Sequence, residues 1–379
     1  LTTRWGQDTV LIVRGTGARR RRQKTGHFDP PTETARLSAA ARTAVRALID
    51  VPTPAQAPRG IMGTHRVAIL GQAFLDTIVY LPVLPTKPTK IRATDVIRTG
   101  GGIAATAAYA AARLGARPIY WGRLGRDTTA EEILARLTAA GVDTADVRLI
   151  GSGRSPVGTV LVDPDGERMA FGFIGRGLED DGAWLPLDRL DGLGAVMADY
   201  SWKEGAARLF EAARRRGIVS VMDADVGDMG AVHALLGLPD HIVFSAACLA
   251  QLTGTDDIGR GLAEAQARAG GTVAVTRGAA GFYWLDGGRL AHVPAFPVKA
   301  VDTNGAGDIF HGAYTVGLAE GRDVAGAARL ASATAALKCA RGSGWESIPD
   351  RADVETLLTT GDTDEHHPGQ VLGIASAGG

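Results

Sequence analysis

The chain has 379 residues, 45% hydrophobic and 6% aromatic, with 51 glycines and two cysteines. That is enough for a large α/β core plus a subsidiary element, while no apolar run reaches the ~20 residues of a membrane-spanning helix. The formal charge of zero is uneven: residues 1–61 carry eleven Lys/Arg against four Asp/Glu, the remainder thirty against thirty-seven, so the main body is mildly acidic and ill suited to nucleic acid.

Residues 1–61 begin at Leu1, contain Pro30, Pro31, Pro52, Pro54 and Pro58, and sustain no apolar period that would join a core. They are expected to form a disordered or non-native arm, with Met62 as the natural start. Asp8, Asp29 and Glu33 argue against a transit peptide, and the run from Arg19 to Arg22 with Lys24 is at most a polyanion contact. VLIVRGTG, from Val10 to Gly17, imitates a dinucleotide fingerprint, but Arg20 holds the third glycine position.

Arg66–Asp76, RVAILGQAFLD, is a strand-like run that reaches Gly71 and then an acid. Gly100–Gly115, GGGIAATAAYAAARLG, joins glycines to a helix of small residues; most of its alanines serve close packing, leaving Gly101, Gly102 and Thr106 to face a ligand. GRLGRD and GVDT follow, with Asp127 and Asp143 read as cap and turn residues. Strand-like runs at Val67–Leu70, Ile119–Gly122, Ala195–Ala198, Val219–Met222, His241–Phe244 and Thr272–Val275 alternate with helical stretches. This is the βα rhythm of a doubly wound, mostly parallel sheet flanked by helices. Two β-branched excursions, Asp76–Arg98 and Pro156–Ile174, interrupt it, the second with a turn signal at Asp163–Gly166. The strand VSVMDAD ends on Asp223 and Asp225, candidates to steer a metal ion or substrate, and the tail 361–379 is expected to be disordered.

The most informative stretch is VDTNGAGDIFH, from Val301 to His311, preceded by a strand-like run Leu290–Val301. Gly305, Ala306 and Gly307 leave their backbone N–H groups free to turn toward an anion, and the helix that follows adds its positive dipole end. Asp308, one residue on, is placed to accept a proton from a hydroxyl delivered to the same spot. The combination reads as phosphoryl transfer.

These motifs, in this order, resemble the PfkB family of ribokinase-like carbohydrate kinases, whose second signature is D-T-x-G-A-G-D-x-F. Asp302, Thr303, Gly305, Ala306, Gly307, Asp308 and Phe310 match it, and the resemblance runs from about Arg66 to Leu358. It implies an ATP-dependent kinase acting on a hydroxyl of a sugar or sugar derivative, with Mg²⁺, Asp308 as general base and the Gly305–Gly307 amides on the phosphoryl group. It implies that the two excursions form a small β lid that often pairs with a second subunit, so a homodimer is expected. Asp76 would bind sugar hydroxyls; Thr276, Gly278 and Gly281 of VTRGAAG, together with Asp225, would serve the nucleotide; Asp302 would contribute to a monovalent-cation site.

Departures from the family pattern narrow the reading. The Asn-x-x-Glu that organises metal in many relatives is Ser245, Ala246, Ala247, Cys248 here, without the glutamate. GGGIAATAA, ADYSW, FHGA and AALKCARGSG look most like the branch acting on 6-deoxy-6-sulfofructose, whose lysine, asparagine and arginine clamp falls on Lys90, Gly172 and Ser201. With two of three ligands missing, Arg176 is the replacement cation, and a neutral ketose or a sugar acid is the rival substrate. The other readings are a nucleoside kinase with a base pocket from Phe171, Phe173 and Trp202, and a nucleotide-binding regulator without turnover. Cys248 and Cys339 lack partners at disulfide or metal spacing, which favours the cytoplasm.

Overall fold

The computed structural model describes residues 65–361 and 370–372; the basic arm and Met62 lie outside the described residues. The chain opens with β1 (Arg66–Leu70), β2 (Phe74–Tyr80) and β3 (Asp95–Gly101), then α1 (Ile103–Arg113), β4 (Arg117–Trp121) and β5 (Arg123–Gly125). It continues through α2 (Thr128–Ala139), β6 (Arg148–Ile150), β7 (Val157–Val162), β8 (Arg168–Phe173), β9 (Ala195–Asp199), α3 (Lys203–Arg216) and β10 (Val219–Ala224). Next come α4 (Met229–Leu235), β11 (His241–Ser245), α5 (Ala246–Thr253), α6 (Ile258–Gln266), β12 (Thr272–Thr276), β13 (Phe282–Asp286) and β14 (Arg289–Val293). The last elements are α7 (Ala306–Ala319), α8 (Val324–Arg341), α9 (Arg351–Gly361) and β15 (Gln370–Leu372).

The main sheet runs β15-β14-β13-β12-β11-β10-β9-β1-β4. Its six strands from β12 to β4 are parallel and the other three antiparallel. Its central strands are apolar on both faces, as a sheet covered twice demands. Val67 and Ile69 of β1 pack into the layer of α1, α2, α7, α8 and α9, while Ala68 and Leu70 pack into that of α3, α4, α5 and α6. The small residues of α1 let it lie almost on the backbone of α7: a Cβ at Gly312 would collide with the carbonyl of Ala107.

The two excursions form a second sheet, β3-β2-β7-β8, in which Asp76 stands opposite Thr99 on one side and Gly158 on the other. Two expectations need correction. The run Leu290–Val301 is strand only as far as Val293, because Pro294 and Pro297 cannot donate to a ladder, so a connection without regular structure carries the chain to Gly305. In the tail, Gly361 belongs to α9, and Gln370–Leu372 pairs antiparallel with β14, with Val371 opposite Ala291.

Candidate active site

Gly305 caps α7 in the left-handed region, φ 71°, where glycine alone is unstrained, and no side chain caps the first turn. A Cβ at Gly307 would meet nothing within 4 Å, so this turn opens onto free space. The exposed first-turn amides and the helix dipole form the anion cradle. Beside it, one cavity is bordered by Asp76, Gly101, Gly102, Thr106, Gly305 and Asp308. Residues more than 200 positions apart, all chosen from sequence, therefore meet.

The glycines also shape the site by what they leave out. A Cβ at Gly101 on β3 or Gly158 on β7 would collide with the Asp76 carboxylate, so both neighbouring strands are cut away to accommodate that group. Gly102, φ 85°, lets the chain pass the backbone of Gln72 and Ala73. Burial pushes Asp76 up to about 6, a carboxyl held ready for partners of its own. Thr106 accepts a 2.9 Å hydrogen bond from the indole N–H of Trp345, which leaves its hydroxyl a proton to donate into the cavity.

Asp308 is half-buried at the cavity wall. Burial, then the charge of Asp223, push it well above the usual carboxylate range, while His311 opposes them; Asp225 and Asp199 add to the rise. His311 is the residue the sequence reading missed. Its Nδ1 lies 2.7 Å from the Gly307 carbonyl and 2.8 Å from Oδ2 of Asp223, and its Nε2 lies 3.2 Å from the Val243 carbonyl. Both ring nitrogens face only acceptors, so each must carry a proton, and the ring is an imidazolium. Burial works against that charge, yet Asp223, Asp308 and the Gly307 carbonyl raise His311 to about 9. His311→Asn therefore removes a positive charge next to Asp308, and an acid limb of the kcat/KM profile set by Asp308 is expected to move to higher pH. A limb that stays in place would reduce His311 to packing.

Asp223, expected to steer a metal ion, is 2% exposed and its Oδ2 lies 2.8 Å from Nδ1 of His311 without accepting a hydrogen bond, so it is not open to an ion from solvent. Asp225 spends Oδ1 on the hydroxyl of Ser245, 2.6 Å away, and on the Val226 amide. Cys248, where relatives carry the metal glutamate, is buried, and burial pushes its thiol up to about 12. Asp302 is likewise no open metal ligand, since Arg168 of β8 contacts its Oδ1 at 3.2 Å and Lys338 of α8 its Oδ2 at 3.6 Å. Among the described residues no three His, Cys, Asp or Glu side chains converge as a metal cage. The donor set thus fits Mg²⁺ carried on nucleotide phosphates and completed by water, as this ion's reluctance to dehydrate favours.

Thr276, Gly278 and Gly281 follow or end β12, at the same edge of the sheet as Asp225, but border neither large cavity. Gly281, φ 90°, is required because a side chain there would strike the Val293 carbonyl. Lys90 is exposed on the β2–β3 connection and borders neither cavity, so the structure does not bring it to the site. Arg176 and Ser201 do meet, in a second cleft of about 280 Å³ with Arg123 and Gln72. Arg123 stacks 4.4 Å above the Trp202 ring and pairs with Asp180 at 3.6 Å. Trp202 itself is fully buried, its N–H bonded to the Asp180 carbonyl, and is unavailable to stack on a base. Asp199, also unforeseen, is fully buried and accepts from the Gln72 and Ser201 amides, and Gly71 lacks a side chain because one would strike this carboxylate.

Residues 64–351 match the model of the pfkB family carbohydrate kinases. A fructokinase of Klebsiella pneumoniae is 32% identical over 276 residues, covering 67% of this chain and 84% of that protein. Ribokinase of Bacillus subtilis is 26% identical over 304 residues, 78% of this chain and 100% of its own. The structure of Arabidopsis thaliana ribokinase complexed with ribose and ATP superimposes with a TM-score of 0.69 at 24% identity, covering 78% of this chain and 99% of that one. A family match over three quarters of the chain, on a site with the cradle and two carboxylates in place, establishes that this chain belongs to the pfkB family of carbohydrate kinases.

Proposed function

We propose that this chain transfers the γ-phosphate of ATP to a hydroxyl of a sugar or close derivative, with Asp308 as general base and Asp76 as the anchor of the other hydroxyls. The observation that carries the reading is the single cavity that holds both carboxylates beside the uncapped first turn of α7. Solved structures of this fold hold ribose with ATP, and ATP with Mg²⁺; ATP and Mg²⁺ are the cofactors expected here. Bound there, the nucleotide supplies the phosphoryl group and its metal neutralises phosphate charge.

The chain's own residues would do the rest. The amides of Gly305 to Gly307 face the phosphoryl oxygens; Asp76 orients the sugar so that one hydroxyl points at Asp308; Asp308 takes its proton as the oxygen attacks. Positioning supplies most of the rate in such a loose transfer. The burial of Trp202 weakens the nucleoside reading, since of the three aromatic residues considered for a base pocket only Phe171 and Phe173 are left. Val96, Phe171 and Ile174 leave apolar surface exposed on and beside the lid sheet, which supports pairing with a second copy; light scattering checks the mass.

The test is a panel of ketoses, aldoses, sugar acids, sulfosugars and nucleosides incubated with ATP and Mg²⁺ and read by mass shift. A phosphorylated sugar is the expected product. Turnover of nucleosides alone would replace the substrate assignment, and ATP hydrolysis without any acceptor would remove it.

A further inference from the structure

Lys338 sits in the last turn of α8, among residues that are nearly all small or apolar, and is 2% exposed. A buried ammonium is tolerated only where oxygens replace its water. Three do so here. Nζ lies 3.2 Å from the Asp302 carbonyl oxygen, bonds the Asn304 carbonyl oxygen, and stands 3.6 Å from Oδ2 of Asp302. Two backbone carbonyls and a carboxylate converging on one buried point are the oxygen set a hard cation takes. Two N–H bonds of the ammonium have a carbonyl acceptor, and the carboxylate at 3.6 Å balances its charge.

We propose that the Lys338 ammonium is a built-in cation of the loop before the anion cradle, and that this chain therefore needs no monovalent metal ion. The residues do not fit a free ion beside Asp302, because its oxygens are already engaged by Lys338 and by Arg168, whose Nη2 also donates to the Thr303 hydroxyl at 2.6 Å. Burial lowers Lys338 from the usual lysine range, and the Asp302 carboxylate pulls it back toward the charged form.

The consequence for the cradle follows from the planar trans peptide. In each peptide unit C=O and N–H point in opposite directions. With the Asn304 carbonyl drawn to Nζ, the Gly305 N–H is turned away from Lys338, and the left-handed Gly305 is held by a tether from α8. Lys338 is thus a positioning residue for the phosphoryl site, and its side chain borders the same cavity as Asp308 and Asp76.

The experiment compares the full chain and Lys338→Ala in potassium, sodium and tetramethylammonium chloride at equal ionic strength, reading thermal midpoint and sugar-kinase turnover. The wild type is expected to give the same midpoint and turnover in all three salts. Lys338→Ala opens the oxygen pocket, so in tetramethylammonium it should lose turnover by ~10-fold or more through misplacement of the cradle. Potassium or sodium should restore part of that turnover and raise the variant's midpoint. Wild-type turnover that rises several-fold with either metal ion would overturn the proposal. So would a variant with wild-type turnover, or one whose loss neither ion repairs. Should Lys338→Ala fail to fold, the wild-type salt comparison still decides. The midpoints need no substrate, so they stand apart from any failure of the kinase reading.

Discussion

Asp308→Asn lowers turnover by at least ~10²-fold and leaves the fold and nucleotide binding intact, the low end of the loss expected when a positioned base is removed. The amide is the same size as the carboxyl and can still accept a hydrogen bond, but it cannot take the proton of the attacking hydroxyl. As the proposed base Asp308 would act only when ionised, and burial together with Asp223 raises it well above the ordinary carboxylate range. Wild-type turnover should therefore fall as pH drops through that raised value, and the variant's residual rate should lack this acid limb. Turnover by product formation and nucleotide affinity by calorimetry check the two halves of the claim. Survival of turnover within a few-fold would remove Asp308 from the role of base.

Asp76→Asn gives opposite signs in two measurements. In catalysis kcat/KM should fall by ~10²-fold or more, carried mostly by KM, because hydrogen bonds from sugar hydroxyls to a charged acceptor contribute about 1.5–3 kcal/mol each. In stability the same change is a gain. Folding raises Asp76 from 3.8 to about 6, so the fold favours the neutral acid: the penalty is absent below pH 3.8, grows as pH rises toward 6, and is complete above it. A shift of that size corresponds to an order-of-magnitude penalty of about 3 kcal/mol. The variant's thermal midpoint should exceed that of the wild type at pH 8, and the two should converge toward pH 4. A midpoint difference independent of pH would show that the buried carboxyl carries no such penalty, and an unchanged KM would remove Asp76 from the sugar site.

The residues we propose as cradle, base and sugar anchor all stood out in the sequence as candidates and meet at one cavity, and the parallel sheet behind them was legible too. Each rests on a short stretch whose chemistry is local. Gly305–Ala306–Gly307 can open a helix onto an anion whatever surrounds it, and the apolar runs Val67–Leu70 of β1 and Ala195–Ala198 of β9 fit central strands of a sheet covered on both faces. Even there part of a residue's role escaped: Gly101 looked like an approach for substrate, and it does border the cavity, but it also makes room for Asp76 across a strand pairing.

What the tertiary structure alone decided is how the charges are matched. Asp223 and Asp302 read from sequence as metal acids, yet one faces the His311 imidazolium and the other the Lys338 ammonium and Arg168. His311 and Lys338 gave no sequence signal, since each lies in an apolar helix and meets its partners only when α7 and α8 are laid against the sheet and the cradle loop. Trp202 likewise changes from a possible base platform to a core residue. Helix starts and strand faces follow from neighbours within a few residues, because backbone geometry and hydrophobic period are local quantities. The protonation and pairing of a buried charge depend on every oxygen and carboxylate that packing brings within a few ångströms, and those come from segments far apart along the chain.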